Sequence, residues 1–266
     1  GRVHAACDDG YLYTWQLEDG RLLWRAHGGR DDRRVLGNGR LVSAWCARGG
    51  PVILDGTLFY GAGIWPFMGT YVRAVDARTG ALVWTQGNLG ELYVKQPHAG
   101  AESFGAVTPQ GALAAAGDRL VVPNGRALPA VLNRADGSLV HFRLDGSTMH
   151  EVGEATDRKL EGGSYVCTDG RYVVNRRGVA TALYDAASGD AFIVWKGTHQ
   201  PVLADGVLYL GGDTLGAFPL AGLALKPYEV TVTDKKTGEK KIVTRKRWEL
   251  PPAWELPMAS GGALMR

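Results

Sequence analysis

Short runs of hydrophobic residues recur along the whole chain, and a polar turn signal closes each run after a few residues. The runs are rich in leucine, β-branched and aromatic residues, a composition typical of β-strands. Seven Asp-Gly dipeptides lie between or beside them, beginning at residues 9, 19, 55, 136, 145, 169 and 205. Asp-Gly favours two-residue hairpin turns because both residues tolerate a positive φ. The pattern therefore predicts strand–turn–strand units throughout.

A longer unit of repetition includes these hairpins. Each copy begins near an Asp-Gly or Gly-Asp, continues through a second strand and a glycine-containing turn, and ends in a strand closed by an aromatic residue. The closing aromatic residues are Trp24, Trp84, Phe142, Trp195 and Trp248. They are 53 to 60 residues apart, which is close to the size of a four-stranded antiparallel blade with one long loop. We therefore predict an all-β fold, a β-propeller of about five blades forming one domain over residues 1–266.

Blade stacking explains why each unit ends in a large ring. A small twisted sheet cannot bury both of its faces alone, whereas sheets stacked around an axis bury each face against the next. A ring wedged between two sheets contributes roughly 2 to 3 kcal/mol through the area that it buries. Trp24, Trp84 and Trp195 are accordingly predicted to pack between blades.

The amino-acid composition fits the predicted fold but does not indicate a particular chemical activity. Glycine accounts for 38 of 266 residues, about twice its usual share, so turns must be frequent and long helices are disfavoured. No apolar run approaches the roughly 18 to 20 residues that a membrane-spanning helix needs, so we predict no transmembrane segment. The first 26 residues supply only three strands, and residues 258–266 are predicted to provide the missing fourth, which would close the ring and leave no open sheet edge.

Residues 55–84 carry the pattern Asp-Gly, strand, Ala-Val-Asp-Ala-Arg-Thr-Gly-Ala-Leu-Val-Trp. This pattern resembles the repeat of PQQ-like β-propellers, a family that includes quinoprotein alcohol dehydrogenases and the propeller lipoprotein of outer-membrane assembly. Residues 33–45 and 63–69 are similar to segments of large PQQ-like repeat proteins of planctomycete-type bacteria. The resemblance implies a periplasmic or secreted location. It also implies seven or eight blades, so an open arc, with two apolar end faces that a dimer or a larger chain must cover, stands beside the closed ring as an interpretation.

The resemblance also bears on the cofactor. Quinone-using members carry two adjacent cysteines, a tryptophan floor, and a calcium ion held by carboxylate and amide groups. The three cysteines of this chain, Cys7, Cys46 and Cys167, are far apart in sequence, and no matching set of Glu, Asn and Asp can be mapped. We therefore predict no cofactor, PQQ included, and no metal. The cysteines are interpreted as buried small apolar residues, with one disulfide and a leftover thiol as the alternative.

The net charge of +3 is concentrated in one segment. Eight basic and three acidic residues between 226 and 247 give that segment +5, which leaves −2 for the rest of the chain. The segment alternates like two strands around Asp-Lys-Lys-Thr-Gly, so it is predicted to be a basic hairpin inserted at about 226–247. Its lysines either protect an exposed edge against aggregation or contact an anionic polymer, a membrane headgroup or a protein. Aromatic residues do not alternate with the basic ones, so no nucleic-acid partner is predicted.

Binding residues are expected on the long loops at one rim of a propeller. Two loops stand out, because arginines and exposed aromatic rings together can hold an anionic or sugar-like ligand. Their candidate ligand-binding residues are Arg33, Arg34, Asn38, Arg40 and Trp45 in the first loop, and Trp65 with Gln96, His98 and Glu102 in and after the second. In the alternative interpretation both tryptophans pack under their own loops, and the arginines are solvated or pair with Asp31 and Asp32.

These features lead to two main hypotheses for the function, beside a third in which the chain is a structural segment of a much larger chain with no activity of its own. The first is a non-enzymatic binding or scaffolding propeller that engages a protein, carbohydrate or other polymer partner through its rim loops. The second is an enzyme acting on a sugar or another polar small molecule at the mouth of the channel. For the second hypothesis the residues to test are His98, Glu102 and Arg33.

Overall fold

The computed structural model describes residues 1–37, 39–89, 92–95, 102–105, 107–125, 127–142, 162–233 and 237–258. Within these residues the only helical segments are two 3-10 turns, at Pro66–Met68 and Leu220–Gly222. The other regular elements are short β-strands that form successive antiparallel sheets along the chain. The predicted all-β fold with four-stranded blades is confirmed.

The strands are numbered in chain order: β1 (Arg2–Ala6), β2 (Tyr11–Gln16), β3 (Leu22–His27), β4 (Arg34–Gly37), β5 (Arg40–Ser43), β6 (Ala47–Leu54), β7 (Thr57–Ala62), β8 (Tyr71–Asp76), β9 (Leu82–Gln86), β10 (Leu92–Lys95), β11 (Glu102–Gly105), β12 (Ala114–Ala116), β13 (Arg119–Asn124), β14 (Ala127–Asn133), β15 (Leu139–His141), β16 (Tyr165–Thr168), β17 (Tyr172–Arg177), β18 (Ala180–Asp185), β19 (Ala191–Lys196), β20 (Val202–Ala204), β21 (Val207–Gly211), β22 (Thr214–Pro219), β23 (Ala224–Thr233), β24 (Lys240–Glu249) and β25 (Trp254–Pro257).

Five of the sheets are blades. The first has the order β1-β2-β3, and the next three have the orders β6-β7-β8-β9, β12-β13-β14-β15 and β16-β17-β18-β19. The fifth has the order β20-β21-β22-β25, so its last strand follows the inserted hairpin β23-β24. Two further hairpins, β4-β5 and β10-β11, lie in the connections between the first and second and between the second and third blades.

Among the described residues, the first blade has no strand at the innermost position. Thr14 of β2 lies opposite Trp24 of β3 just as Ala74 of β8 lies opposite Trp84 of β9. By this register β1 corresponds to β7, the second strand of the next blade, and the first blade shows no counterpart of β6. The closing strand predicted at residues 258–266 lies, from residue 259 onward, outside the described residues.

Buried apolar side chains form four clusters, and each cluster lies between two consecutive blades. Characteristic members, from the first interface to the fourth, are Leu12 with Leu58 and Val75, Phe59 with Leu120 and Leu132, Val131 with Val173 and Tyr184, and Leu183 with Leu208 and Phe218. In the described part of the chain no such cluster joins the fifth blade to the first. The described blades thus share four interfaces, and the choice between a closed ring and an open arc stays a prediction.

A repeated contact fixes three of these interfaces. The ring of Trp24 lies against Gly80 and that of Trp84 against Gly137, so a Cβ atom at either glycine would lie within 2.7 Å of the indole. Both glycines also have a positive φ, 75° and 74°, which L side chains rarely adopt. At the third interface the ring that meets Gly189 is an imidazole, that of His141.

In the register of Trp24 and Trp84, three of the predicted closing residues are therefore wrong. In the fourth blade the position belongs to Ile193, opposite Leu183, and Trp195 lies opposite Thr181. In the third blade the position belongs to His141, opposite Val131, and Phe142 is its neighbour. In the fifth blade it belongs to Trp254, opposite Ala217, because Trp248 lies in β24 of the inserted hairpin. Three further predictions are confirmed, since Trp24, Trp84 and Trp195 all pack against the apolar clusters between blades. Trp195 does so through the ring of Phe218, 5.9 Å away.

Candidate binding site

Strand order places the loops on two opposite rims. Because neighbouring strands are antiparallel, the connections from second to third strand and from each blade to the next lie at one rim, here called the loop rim. Among the described residues of the first three blades, the loop rim includes residues 28–37, 39–46, 63–70, 87–89, 92–95, 102–105 and 107–113. The turns between third and fourth strands lie at the other rim, and hairpin β23-β24 is inserted in such a connection.

Trp45 is the structural centre of the first loop. Its side chain is wholly buried, and its indole nitrogen donates a hydrogen bond to the Met68 carbonyl, 2.9 Å away, in the second loop. The guanidinium carbons of Arg30 and Arg33 lie 5.2 and 5.3 Å from the centre of its ring. Trp45 therefore joins the two loops and is covered by arginines. Its ring is buried among these contacts, so neither face is open to a stacked ligand in this structure.

The arginines of the first loop are partly exposed and partly paired. Arg30 Nε and Arg33 Nη2 lie 3.5 and 3.8 Å from the same oxygen of Asp31. Arg40 donates to Asp8 at the neighbouring turn. These are surface ion pairs, which contribute little to stability. They hold the exposed guanidinium groups of Arg30, Arg33 and Arg40 at the loop rim.

Asp9 anchors the adjoining turn of the first blade. Partial burial opposes ionisation of its carboxyl, but hydrogen bonds from the Tyr13 hydroxyl and the Tyr11 amide outweigh that effect, aided by the charge of Arg34, and lower its pKa. The Tyr13 oxygen lies 2.5 Å from the carboxylate. Asp9 is thus a fixed negative charge that orients the turn. Of the remaining first-loop candidates, Arg34 is exposed in β4 and Asn38 lies outside the described residues.

The second loop exposes two stacked rings. Trp65 is 52% and Phe67 73% exposed, and their ring centres are 6.2 Å apart with an interplanar angle of 30°. The 3-10 turn Pro66–Met68 presents both rings outward, and β11, which contains Glu102, runs beside that turn. Trp65 does not pack under its loop, unlike Trp45. Gln96 and His98 lie outside the described residues.

Two exposed leucines were missed from the sequence. Leu36 and Leu41 are 78% and 65% exposed and lie opposite each other in hairpin β4-β5. The signal was the Asn-Gly dipeptide at residues 38 and 39, which is a strong hairpin indicator between alternating residues. The first loop is consequently a projecting hairpin with an apolar pair, flanked by arginines.

Two general features of the described residues bear on chemistry and location. No helix there has the length and apolar character needed to cross a membrane. Nowhere among them do three or more His, Cys, Asp or Glu side chains come together in a group that could hold a metal ion.

The fold and its repeat define a PQQ-like β-propeller. A family model described as outer membrane protein assembly factor BamB matches residues 68–240, more than half of the chain. The chain belongs to this family. A search of curated proteins gave no match.

Two solved structures are similar to the chain. BamB from Moraxella catarrhalis is 15% identical, with a TM-score of 0.45, over 95% of this chain and 69% of that one. A quinohemoprotein alcohol dehydrogenase from Pseudomonas putida is 12% identical, with a TM-score of 0.48, over 97% of this chain and 52% of that one. The chain thus spans about half the length of the dehydrogenase.

Proposed function

We propose that this chain is a non-enzymatic protein-binding module that works outside the cytoplasm, needs no cofactor and engages its partner through the loop rim. The observation that carries the proposal is the exposed, stacked pair of Trp65 and Phe67 in the second loop, which a hydrogen bond from Trp45 joins to the first loop. Membership in a family described as an outer membrane protein assembly factor supports the class of partner and the periplasmic location.

The apolar part of the rim has the composition of a binding surface. Two aromatic rings and two leucines are exposed on the second and the first loop, and the hydrogen bond from the Trp45 indole to the Met68 carbonyl joins these two loops. Aromatic residues and arginine dominate the energetics of protein–protein interfaces, and rigid rings lose little entropy when they are covered. Burying each exposed ring against a partner contributes about 2 kcal/mol. This patch therefore suits an apolar segment of another protein.

The arginines specify the charge of that segment. Arg30 and Arg33 lie over the buried ring of Trp45, which fixes their planar groups before a ligand arrives. A pre-positioned guanidinium binds a carboxylate through two parallel hydrogen bonds. Asp31 already neutralises part of their charge, so they suit single carboxylates better than a polyanion. We infer a partner segment that combines aromatic or aliphatic side chains with acidic ones.

A display library of short random peptides tests this proposal. Selection on the wild-type protein is expected to enrich peptides in which aromatic and acidic residues alternate. The double variant Trp65→Ala with Phe67→Ala is expected to lose their binding at least ten-fold, and Arg33→Ala to weaken only the acidic peptides. Ile242→Ala, which removes an exposed apolar side chain of the hairpin on the other rim, is the matched control.

Equal binding to the wild type and the double variant would place the binding surface elsewhere and overturn the proposal. Circular dichroism of each variant establishes that it is folded. Because the side chains of Trp65, Phe67 and Arg33 are all at the surface, no loss of fold is expected.

A further inference from the structure

Hairpin β23-β24 differs from the blades in the length and the burial of its strands. Each of its strands has 10 residues, whereas the strands of the blades have 3 to 8. None of the residues of its two strands is buried. At about 3.3 Å per residue the hairpin is roughly 30 Å long. It therefore extends outward from the rim opposite the loop rim.

The base of the hairpin is fixed to the fourth and fifth blades. The ring of Trp248 meets that of Phe192 in β19 edge-on, with the ring centres 4.8 Å apart. Leu250, directly after β24, is buried in the apolar cluster between these two blades, and Leu223, directly before β23, packs against the same cluster. Both ends of the hairpin thus start from a packed core, which holds its base in place.

Acidic side chains compensate only part of the positive charge of the hairpin. At the base, Lys226 and Arg247 lie 3.5 and 2.8 Å from the carboxylate of Glu249, so these two cations share one negative charge. Lys240 and Lys246 have no acidic partner among the described residues. The net charge of +5 between residues 226 and 247 falls only to +4 when Glu249 is included. The hairpin is therefore a local source of positive potential.

Basic and aliphatic residues follow each other in pairs near the tip of the hairpin. Lys240 and Lys241 are exposed and directly precede Ile242 and Val243, which are 70% and 39% exposed. Successive residues of a strand point to opposite faces, so each face of the hairpin carries one lysine and one aliphatic side chain there. The basic run 245–247 follows on the side of the base. Both faces near the tip are therefore amphipathic, with aliphatic groups between cations.

We infer that the tip of this hairpin docks on the surface of a lipid bilayer that contains anionic phospholipids. The lysines contact the phosphates, while Ile242 and Val243 enter the boundary between the headgroups and the acyl chains. A bound peptide would cover one face of the hairpin, whereas a soft lipid surface surrounds a tip that is amphipathic on both faces. The flexible stems of the lysines let their ammonium groups reach phosphates on either side. The inference concerns the rim opposite the loop rim and is independent of the proposed peptide-binding surface.

Co-sedimentation with lipid vesicles tests the inference. The wild type is expected to bind vesicles of phosphatidylcholine with about 30% phosphatidylglycerol, to bind pure phosphatidylcholine far less, and to dissociate as salt screens the attraction. Each cation near an anionic surface strengthens binding roughly five-fold, so Lys240→Gln with Lys241→Gln is expected to weaken it at least ten-fold. The matched control, Arg78→Gln with Lys196→Gln, removes two exposed cations of the blades and changes the net charge equally. This control is expected to bind like the wild type.

The aliphatic pair distinguishes a bilayer from an acidic protein. Ile242→Thr with Val243→Thr keeps every charge and the β-branched shape, and is expected to weaken vesicle binding at least three-fold. Polyglutamate serves as the acidic polypeptide, and its binding is expected to be weaker than vesicle binding and insensitive to this change. Tighter binding to polyglutamate than to the vesicles would assign an acidic protein partner and overturn the inference.

The lysines also have a possible protective role, which the same variants test. If the lysine double variant aggregates but keeps its affinity for the vesicles, the lysines only protect an exposed edge and the inference is overturned. A wild type that binds neutral and anionic vesicles equally, or neither, would overturn it as well. Circular dichroism establishes that each variant is folded, and no loss of fold is expected because none of the substituted side chains of the hairpin is buried.

Discussion

The indole nitrogen of Trp84 donates to the carbonyl of Arg134 across the boundary between the second and third blades, at 3.0 Å. The same ring lies on Gly137, three residues further along. Gln86, two residues after the tryptophan, adds a hydrogen bond from its side-chain amide to the Gly137 carbonyl, also at 3.0 Å. One turn of the third blade thus receives an aromatic ring and two hydrogen-bond donors from the second blade, and these contacts hold the two blades together.

Substitution of that glycine is expected to be costly. An alanine at Gly137 would place its Cβ 2.6 Å from the Trp84 ring while keeping a positive φ. Backbone strain and overpacking together are expected to lower the free energy of unfolding by about 2 to 4 kcal/mol, measured by chemical denaturation. Gly117→Ala isolates the backbone part, since no described atom lies near that position, and should cost about 1 kcal/mol. Similar losses for both variants would show that the ring contact is unimportant.

Two tryptophans in equivalent positions are expected to respond differently to the same change. Trp84 has a hydrogen-bond partner for its indole nitrogen, whereas the buried nitrogen of Trp24 has none among the described residues, because Arg2 takes the equivalent carbonyl. Trp84→Phe should therefore cost about 1 to 2 kcal/mol more than Trp24→Phe. Denaturation curves of the two variants measure the difference. An equal loss would mean that the hydrogen bond contributes nothing net.

The two loop tryptophans separate folding from binding. Trp45 is wholly buried and links two loops, so Trp45→Ala is expected to lower the free energy of unfolding by about 3 to 5 kcal/mol. Trp65→Ala removes an exposed ring and should change stability by no more than about 0.5 kcal/mol. Thermal melts give both values. A large loss for Trp65→Ala would assign that ring a structural role in place of the proposed binding role.

Cys167 is expected to resist thiol reagents while the protein is folded. Burial, with a smaller contribution from the charge of Asp169, raises the pKa of its thiol from 9.0 to about 12. Three pKa units make the thiolate, the reactive form, about a thousand-fold rarer than in the unfolded chain near neutral pH. Alkylation by iodoacetamide, followed residue by residue with mass spectrometry, measures the protection. Equal rates with and without denaturant would contradict it.

The same shift has a definite sign for stability. The folded protein holds the Cys167 proton more tightly than the unfolded chain does, so this contribution is complete below about pH 9 and is lost as the pH rises toward 12. Cys167→Ala is expected to flatten the alkaline decline of stability in urea denaturation, while the decline below pH 9 stays as in the wild type. A variant whose alkaline decline is as steep as the wild type's would locate the titrating group elsewhere.

The repeat was readable from the sequence because its turns and rings keep a fixed spacing. Gly20 and Trp24, and Gly80 and Trp84, are each four residues apart, and the same spacing from Gly137 leads to His141. Phe142 fits the pattern of a closing aromatic residue because it lies beside that position. In the fifth blade no spacing could have led to Trp254, since hairpin β23-β24 separates it from the strand that it pairs with.

The site was less accessible to sequence reasoning. The sequence identifies the loop arginines and both loop tryptophans as candidate binding residues. It does not show which ring is buried, because burial depends on contacts between loops that are distant in sequence. The bond from Trp45 to Met68 is such a contact, and Trp65, with a similar local sequence environment of apolar and small residues, ended on the surface.

His141 makes the boundary between the third and fourth blades different from the two boundaries before it. At the boundary between the third and fourth blades an imidazole occupies the place of an indole, and it covers Gly189 with a smaller and more polar ring. The imidazole itself shields less apolar area from water than an indole does. The ring contact at this boundary is therefore the weakest of the three, so a fluctuation that lifts a ring from its glycine is expected here first.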